Sequence, residues 1–349
     1  RGQDMDESTA LMQRAIDAAR LGPQADPNPR VGCVVTDAAG RVVGVGHPRG
    51  AGTAHAEVDA LAQAGEAARG GTAHVTLEPC NHTGRTGPCT GALLEAGIAR
   101  VVFAVGDPDA VAAGGAATLA AAGIAVETGV LREAAEELNE SWLHARRTGR
   151  PFVIAKSAST LDGRTAAADG TSRWITGEAA RADVHDLRSR CGAVVVGTGT
   201  ALTDDPQLTV RTADGTDAGS QPLRVVVGHR TLPATARVLD DAAETLLLAT
   251  HDPGAVLAAL HARGIHRVVL EGGPTLTAAF LAAGLVDEVV AYVAPALLGS
   301  GPTVSSDLGV RTIADAVRLD LVDVTVLPPD VRITARPATA PPVHPRARS

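Results

Sequence analysis

The sequence predicts an α/β protein with two domains in succession. Three observations carry this. The chain has 349 residues, about twice the usual domain length. It is 45% hydrophobic against 20% charged, ample material for two buried cores. Short β-branched runs also alternate with helical periods along most of its length. Aromatic residues make up only 2%, so aliphatic and alanine packing must fill the interior.

Residues 6–21 are helical by period, with Leu11, Ile16, Ala18 and Ala19 on one side. A Pro-rich loop, 22–29, precedes a hairpin, VGCVV and RVVGVG around the turn DAAG. His55 opens a helical pattern that runs to Ala68, and TAHVTLEP reads as a strand. The loop 80–88 leads into the helix CTGALLEAGI and the strand ARVVFAVGDP. A small helix, the strand IAVETG and a longer helix, 131–145, complete the first half. RRTGRP, 146–151, is a basic break that fits a boundary, so the domains are expected at 5–147 and 148–336. The second half restarts with the strand PFVIAKSAST, a polar loop and the helix GEAARADVHDLRSRC. GAVVVGTGT is a strand and ALTDDPQLTVR a loop, before the strands LRVVVG and TLLLAT. A helix, RVVLEGGPTLTAAFLAAG, DEVVAYVAP and two antiparallel strands at 319–327 and 331–335 finish the domain. From Pro337 the chain is Pro, Ala and Arg without periodicity, and 337–349 is expected to be a disordered tail.

Composition narrows the function. No apolar run approaches the roughly 18 to 20 residues that span a bilayer, and Arg1 to Glu7 are unlike a signal peptide. A net charge of −8 with few aromatics argues against nucleic acid as partner. Four cysteines do not make a disulfide framework. The expectation is a cytoplasmic enzyme that engages neither membrane nor nucleic acid. Of the 31 basic residues a single one, Lys156, is lysine, which makes that position conspicuous.

His55-Ala-Glu57 begins a helix, Pro79-Cys80 ends a strand, and Cys89 begins the next helix. One imidazole and two thiolates suit a catalytic zinc, which keeps three protein ligands and an open position for water. Helix starts also favour deprotonated thiols. Glu57, two residues beyond the imidazole, can face the open position and move a proton from water to a leaving amine. H-x-E followed by P-C is the signature of zinc deaminases, though the second cysteine here follows after eight residues rather than two. The intervening loop, NHTGRTGP, carries His82 and Arg85 and suits a segment that reaches substrate. A surface histidine with two core thiols is the plain alternative, and a closed structural site with His82 as fourth ligand is another. Cys33 and Cys191, in strand-like runs, read as inert core thiols. His74, His144, His229 and His251 have no partner visible in the sequence.

With PNPRVGCVV, GTAHAEVDAL and VTLEPCNHTGRTGPC, the first half resembles the deaminase domain of the bifunctional riboflavin-biosynthesis deaminase/reductase family. The resemblance implies a cytidine-deaminase-like α/β/α fold, zinc on His55, Cys80 and Cys89, and Glu57 as proton shuttle. It also implies that Asn28, His82 and Arg85 hold the phosphorylated pyrimidine substrate.

In the second half, Lys156 lies late in an apolar strand beside a polar loop, where its amine can enter a cleft. Glu271-Gly-Gly-Pro-Thr sits between a strand and a helix, and Gly197-Thr-Gly-Thr200 follows AVVV; both suit phosphate. Arg188 and Arg211 are plausible partners for an anion, or simply solvated surface arginines. KSASTLDGRTA, SRWITG, TALTDDPQLTVR and LEGGPTLTAAFLAAGLVDE resemble the reductase domain of the same family, similar in fold to dihydrofolate reductase. That implies NADPH against Ala158, Trp174, Thr200, Asp204 and the run Gly273, Pro274, Thr275, Leu276, Thr277, Ala278 and Ala279. It implies substrate against Ser172, Arg188, Leu208, Arg211 and Glu271, with Lys156 in the catalytic cleft. The resemblance also implies a homo-oligomer, dimer or tetramer. The expected reactions are deamination of 2,5-diamino-6-(5-phosphoribosylamino)pyrimidin-4(3H)-one, then reduction to 5-amino-6-(5-phosphoribitylamino)uracil. The rivals are a nucleoside or tRNA deaminase with a non-catalytic accessory domain, and a zinc-stabilised binding protein without turnover.

Overall fold

The computed structural model describes residues 2–81, 87–108, 113–212 and 215–338. The chain forms two compact units that meet in sequence at Gly149 and Arg150. The first contains α1 (Gly2–Ala19), β1 (Cys33–Thr36), β2 (Val42–Gly46), α2 (Ala56–Ala64), β3 (Thr72–Leu77), α3 (Cys89–Glu95) and β4 (Arg100–Val105). It closes with α4 (Gly115–Ala121), β5 (Ala125–Thr128), α5 (Arg132–Leu138) and α6 (Glu140–Thr148). Its sheet has the order β2-β1-β3-β4-β5. β1 pairs antiparallel with β2 and β3, and the strands beyond run parallel.

Helices cover both faces of this sheet, as buried parallel strands require. Met12 and Ile16 of α1 pack with Val34, Val102 and Trp142 on one face. Ala56 and Ala60 of α2, Leu93 and Leu119 pack with Val35, Val75 and Phe103 on the other. Scarce aromatics are matched by close approach of backbone to backbone. A Cβ on Gly46 would lie 2.1 Å from the Ala56 carbonyl oxygen, and one on Gly32 would lie 1.8 Å from that of Ala15. β2 and α2 therefore touch main chain to main chain beside His55.

Two expectations on elements change here. The single helix at 131–145 is two helices broken at Asn139. Its side chain accepts a hydrogen bond from the Arg30 amide and donates one to the Arg30 carbonyl, each at 2.8 Å. Those distant partners fix the break, and no local signal announces them. The helix from His55 begins one residue later, with His55 as its N-cap, and ends in a 3₁₀ turn over Gly65–Ala68.

The second unit contains β6 (Phe152–Thr160), α7 (Glu178–Ser189), β7 (Ala193–Gly197), α8 (Thr198–Asp204), β8 (Leu223–Val227), β9 (Thr245–Leu248) and α9 (Pro253–His261). β10 (Arg267–Leu270), α10 (Pro274–Ala282), β11 (Glu288–Ala294), β12 (Leu319–Leu327) and β13 (Asp330–Pro337) complete it. Its eight-stranded sheet runs β12-β13-β11-β6-β10-β7-β8-β9. The strands from β11 to β9 are parallel, and the β12–β13 hairpin closes the order antiparallel. Leu187 of α7 packs against Ile154, Val194 and Val226 on one face. Leu257 and Phe280, from α9 and α10, pack against Val153, Val195 and Val225 on the other.

Residues 198–204, expected as the end of a strand and the beginning of a loop, are the helix α8. The expected tail begins inside a strand: β13 includes Pro337, and the Ala338 amide donates to the Arg318 carbonyl at 2.9 Å. Residues 339–349 lie outside the described residues. No helix is long and apolar enough to cross a membrane among the described residues.

Candidate active sites

In the first unit the fold brings His55, Cys80 and Cys89 together from the start of α2, the end of β3 and the start of α3. Their ligand atoms all lie within 4.8 Å of one another. His55 Nδ1 stands 3.2 Å from Cys89 Sγ and 3.6 Å from Cys80 Sγ. Those separations bracket the edge of about 3.5 Å that a tetrahedron with zinc–nitrogen and zinc–sulfur bonds of ordinary length would have. The donor set and its spacing therefore fit zinc.

Local structure prepares each donor. The imidazole of His55 makes no capping bond to its own helix, which leaves it free to face the thiols. The Cys89 amide donates to Cys80 Sγ at 3.4 Å, so the first turn of α3 steadies a negative sulfur. Hydrogen bonding from Cys89 draws the Cys80 thiol well below its ordinary value, and the same contact with burial pushes Cys89 up. Glu57 occupies the first turn of α2 and is 4% exposed. Burial holds its carboxyl above the usual carboxylate range, a condition suited to a group that both takes and gives a proton.

The PNP loop is built from both ends. Asp26 accepts from the amides of Asn28 and Ala51, each at 2.8 Å, and Asn139 clamps Arg30. Asn28 itself is exposed. His82 and Arg85 lie outside the described residues. Cys33 is buried in β1, and Cys191, also buried, stands between α7 and β7 rather than in a strand. His74 has a partner, Ser8 Oγ at 3.3 Å.

The second unit carries a cleft of about 1010 Å³ at the carboxyl ends of its parallel strands, the position where open α/β sheets bind ligands. Lys156, Ala158, Ser172, Thr200, Asp204, Glu271 and the turn from Gly273 through Thr277 line it, with Ala279. Two expected cofactor residues are joined directly, since the Gly273 amide donates to Thr200 Oγ1 at 3.0 Å. The Gly197–Thr200 run belongs to the same wall, as the beginning of α8 rather than as a free loop.

Within the cleft Lys156 Nζ stands 3.6 Å from Glu271 Oε2 and 6.0 Å from the centroid of the Tyr292 ring. Arg188 grips the same carboxylate twice, Nε to Oε1 at 2.5 Å and a terminal nitrogen to Oε2 at 3.0 Å. Burial would raise the Glu271 carboxyl, but Arg188 and Lys156 outweigh it and hold it down at about 2. Tyr292 donates in turn to Asp183 at 2.6 Å, and Arg332 donates to the same carboxylate at 2.8 Å.

Other expected residues lie outside the cleft lining. Trp174 is 71% exposed, with the Arg181 guanidinium over its ring. Arg188 is directed to Glu271 and the Thr209 carbonyl. Leu208 is buried in the core, with a positive φ of 59°, and Ala278 is buried. Arg211 donates to Gln207 through its side chain and to His185 Nδ1 through its amide. Conversely, Arg230 and His251 line the cleft without having been singled out as ligand residues, and His229, at a position where the resemblance implies a cofactor contact, lines it with them. His229 and His251, solitary in the sequence, meet edge to face with ring centroids 4.8 Å apart. Adjacency of β8 and β9 makes that pair, and sequence spacing cannot show it.

Comparison with known proteins finds a family match for each unit. Residues 5–105 match the cytidine and deoxycytidylate deaminase zinc-binding region, and residues 151–333 match the RibD C-terminal domain. The chain is 52% identical over 310 residues to riboflavin biosynthesis protein RibD of Mycobacterium tuberculosis, covering 88% of this chain and 91% of that one. RibD of Acinetobacter baumannii superposes with a TM-score of 0.89 at 41% identity, covering 96% of this chain and all of the other. A Thermotoga maritima structure described as a diaminohydroxyphosphoribosylaminopyrimidine deaminase/5-amino-6-(5-phosphoribosylamino)uracil reductase gives 0.87 at 33% identity, with the same coverage. With both domain matches in order along one chain, the protein belongs to the RibD family of bifunctional riboflavin biosynthesis enzymes, which join a zinc-binding deaminase domain to a reductase domain.

Proposed function

We propose that the first unit deaminates 2,5-diamino-6-(5-phosphoribosylamino)pyrimidin-4(3H)-one, and that the second reduces the product to 5-amino-6-(5-phosphoribitylamino)uracil. The convergence of His55, Cys80 and Cys89 beside the buried Glu57 carries the first assignment. Zinc held by these three residues supplies a Lewis acid that activates water at neutral pH. Glu57 takes a proton from the attacking water and gives it to the departing ammonia. The water's oxygen bonds to the carbon and the carbon–nitrogen bond breaks. Asn28, His82 and Arg85 hold the pyrimidine and its phosphorylated sugar.

The second assignment rests on the Lys156–Glu271–Arg188 chain at the floor of a cleft with a glycine turn on its wall. NADPH supplies the hydride. Ala158, Thr200, Asp204 and the Gly273–Ala279 segment, with Trp174, would hold the cofactor. Ser172, Leu208 and Arg211 complete the substrate pocket. Arg188 fixes Glu271, Glu271 orients Lys156, and Lys156 hydrogen-bonds the reacting end of the sugar. Hydride adds to C1′ as the ring C1′–O bond breaks, and the freed oxygen takes a proton.

A homo-oligomer in the cytoplasm fits this reading. Leu321, Val322, Val324 and Val326 are all more than half exposed on the edge strand β12, an apolar edge that a partner would cover. Four free cysteines suit a reducing compartment. The deciding experiment follows ammonia release and NADPH oxidation together on the authentic pyrimidine. Both signals are expected from one purified chain. Ammonia release from cytidine or tRNA in preference to the pyrimidine would overturn the assignment.

A further inference from the structure

Lys156 must aim its amine at the reacting sugar, and its contact with Glu271 does not fix that aim. A lysine amine sits on a flexible four-carbon stem and turns freely about its last bond. Glu271 stands 3.6 Å away, beyond ordinary hydrogen-bond length, and Arg188 already holds that carboxylate through both oxygens. Such a contact sets how far the amine lies from Glu271 and leaves its direction open. The other neighbour of the amine is the face of Tyr292, with Nζ 6.0 Å from the ring centroid, a distance at which a ring face attracts a cation.

The sheet places that ring. β6 and β11 pair in parallel, with Lys156 opposite Val290 and Ala158 opposite Tyr292. Alternation along the strands therefore puts Lys156 and Tyr292 on the same face. Ala158 carries only a methyl group, so the lysine stem can reach along the strand to the ring. Tyr292 is 1% exposed and belongs to the core with Ile154 and Leu187. Its far end is tied. The hydroxyl donates to Asp183 of α7 at 2.6 Å, and Arg332 of β13 donates to the same carboxylate at 2.8 and 3.1 Å. Burial and the bond to Asp183 push the hydroxyl above the ordinary phenol value, so it stays a donor and the ring stays neutral. Arg188 comes from the same helix, so α7 anchors both the ring and the carboxylate beside Lys156.

We propose that Tyr292 is a positioning residue of the second unit: its ring, fixed by Asp183 and Arg332, holds the Lys156 ammonium in place beside Glu271 and so aims an N–H at the sugar of the substrate. This inference rests on the reading of the second unit as a reductase that uses Lys156. A ring face attracts the charge without claiming a proton, as a second carboxylate would, and so leaves the amine's donors to the substrate. Tyr292 is not among the described residues that line the cleft, so it acts on substrate only through the lysine.

Lys156 is the only lysine of the chain, so protein grown on carbon-13-labelled lysine reports this side chain alone by NMR. The ring is expected to move its ε-methylene protons upfield of their position in free lysine. Tyr292→Phe should keep that shift, and Tyr292→Leu should abolish it. With the deaminated intermediate and NADPH, Tyr292→Leu is expected to lower kcat by about 10- to 100-fold, as a misplaced reacting group does, with the KM for NADPH within about twofold of wild type. Tyr292→Phe should retain most of kcat, because the ring and not the hydroxyl faces the amine. Ammonia release by the first unit should be the same in each variant. Wild-type ε-methylene protons at the free-lysine position overturn the proposal, whether or not any variant folds. A folded Tyr292→Leu protein with wild-type kcat also overturns it, as does Tyr292→Phe protein as slow as Tyr292→Leu. Wild-type protein that shows the shift but oxidises no NADPH with the intermediate would instead overturn the reductase reading and leave the contact of lysine and ring standing.

Discussion

Glu57 and Lys156 each stand beside one reaction, and their replacement should separate the two. Glu57→Gln keeps the shape of the first turn of α2 but cannot carry a proton. Zinc measured by atomic absorption should stay near one per chain while ammonia release falls by about 10²- to 10⁴-fold, the range of a lost general acid–base. Arg188 is a different case, because it supports a buried carboxylate. Arg188→Met leaves Glu271 buried with Lys156 alone, and a broken buried pair costs about 3 kcal/mol or more in denaturant unfolding. The pH dependence follows in sign. A carboxyl held at about 2 when folded, against about 4.3 when unfolded, stabilises the second unit fully above the unfolded value. That contribution is lost as pH falls from about 4.5 to 2. Thermal melts across this window should show the loss in wild type, and in Arg188→Met a smaller loss that is complete at higher pH. The zinc donors were legible in the sequence because H-x-E and P-C are local patterns. Arg188 was visible only as a charge, since the carboxylate it holds is 83 residues away. Parallel pairing of β6 with β10, rather than any spacing, brings Lys156 to Glu271.

At the scale of elements, the deaminase site is held by close backbone contact. Gly46 lies at the end of β2, against the carbonyl of Ala56, one residue beyond His55. Gly46→Ala cannot fit unless the first turn of α2 moves, and that movement carries His55 and Glu57 with it. The expected result is a chain that binds zinc more weakly against a chelator such as a colorimetric thiol-independent dye, with NADPH oxidation by the second unit unaffected. Gly32 plays the same part on the opposite face against α1. These positions explain how a chain with 2% aromatics closes a core: small residues let helices press on the sheet, which maximises contact per side chain. Strand identity was readable from β-branched runs, and most helices from period. The break at Asn139 was not, because its partner Arg30 is supplied by the tertiary fold, and neither was the helical start at Thr198, which no side-chain cap marks. Asn139→Ala removes both bonds to Arg30 and should cost the first unit about 1 to 3 kcal/mol.

For the whole molecule, the two units keep separate hydrophobic cores. The clusters around α1 and α2 draw on residues of the first unit alone, and those around α7 and α10 on residues of the second. Each chemistry therefore has its own folded support. The length that first suggested two domains corresponds to two such supports in series. A lesion in one site should leave the other working, so Glu57→Gln should still reduce the deaminated intermediate and Lys156→Met should still release ammonia. Mixing the two variants in equal amounts then tests whether the intermediate must stay within a chain. Because each unit binds its ligand in its own site, the mixture is expected to form the ribitylamino product from the diamino substrate, after a lag while intermediate accumulates in solution. The lag should shorten as total protein rises, since capture of a free intermediate depends on the concentration of the competent second unit. A mixture that releases ammonia and reduces added intermediate, yet forms no product from the diamino substrate, would mean that the intermediate passes only between the two sites of one chain.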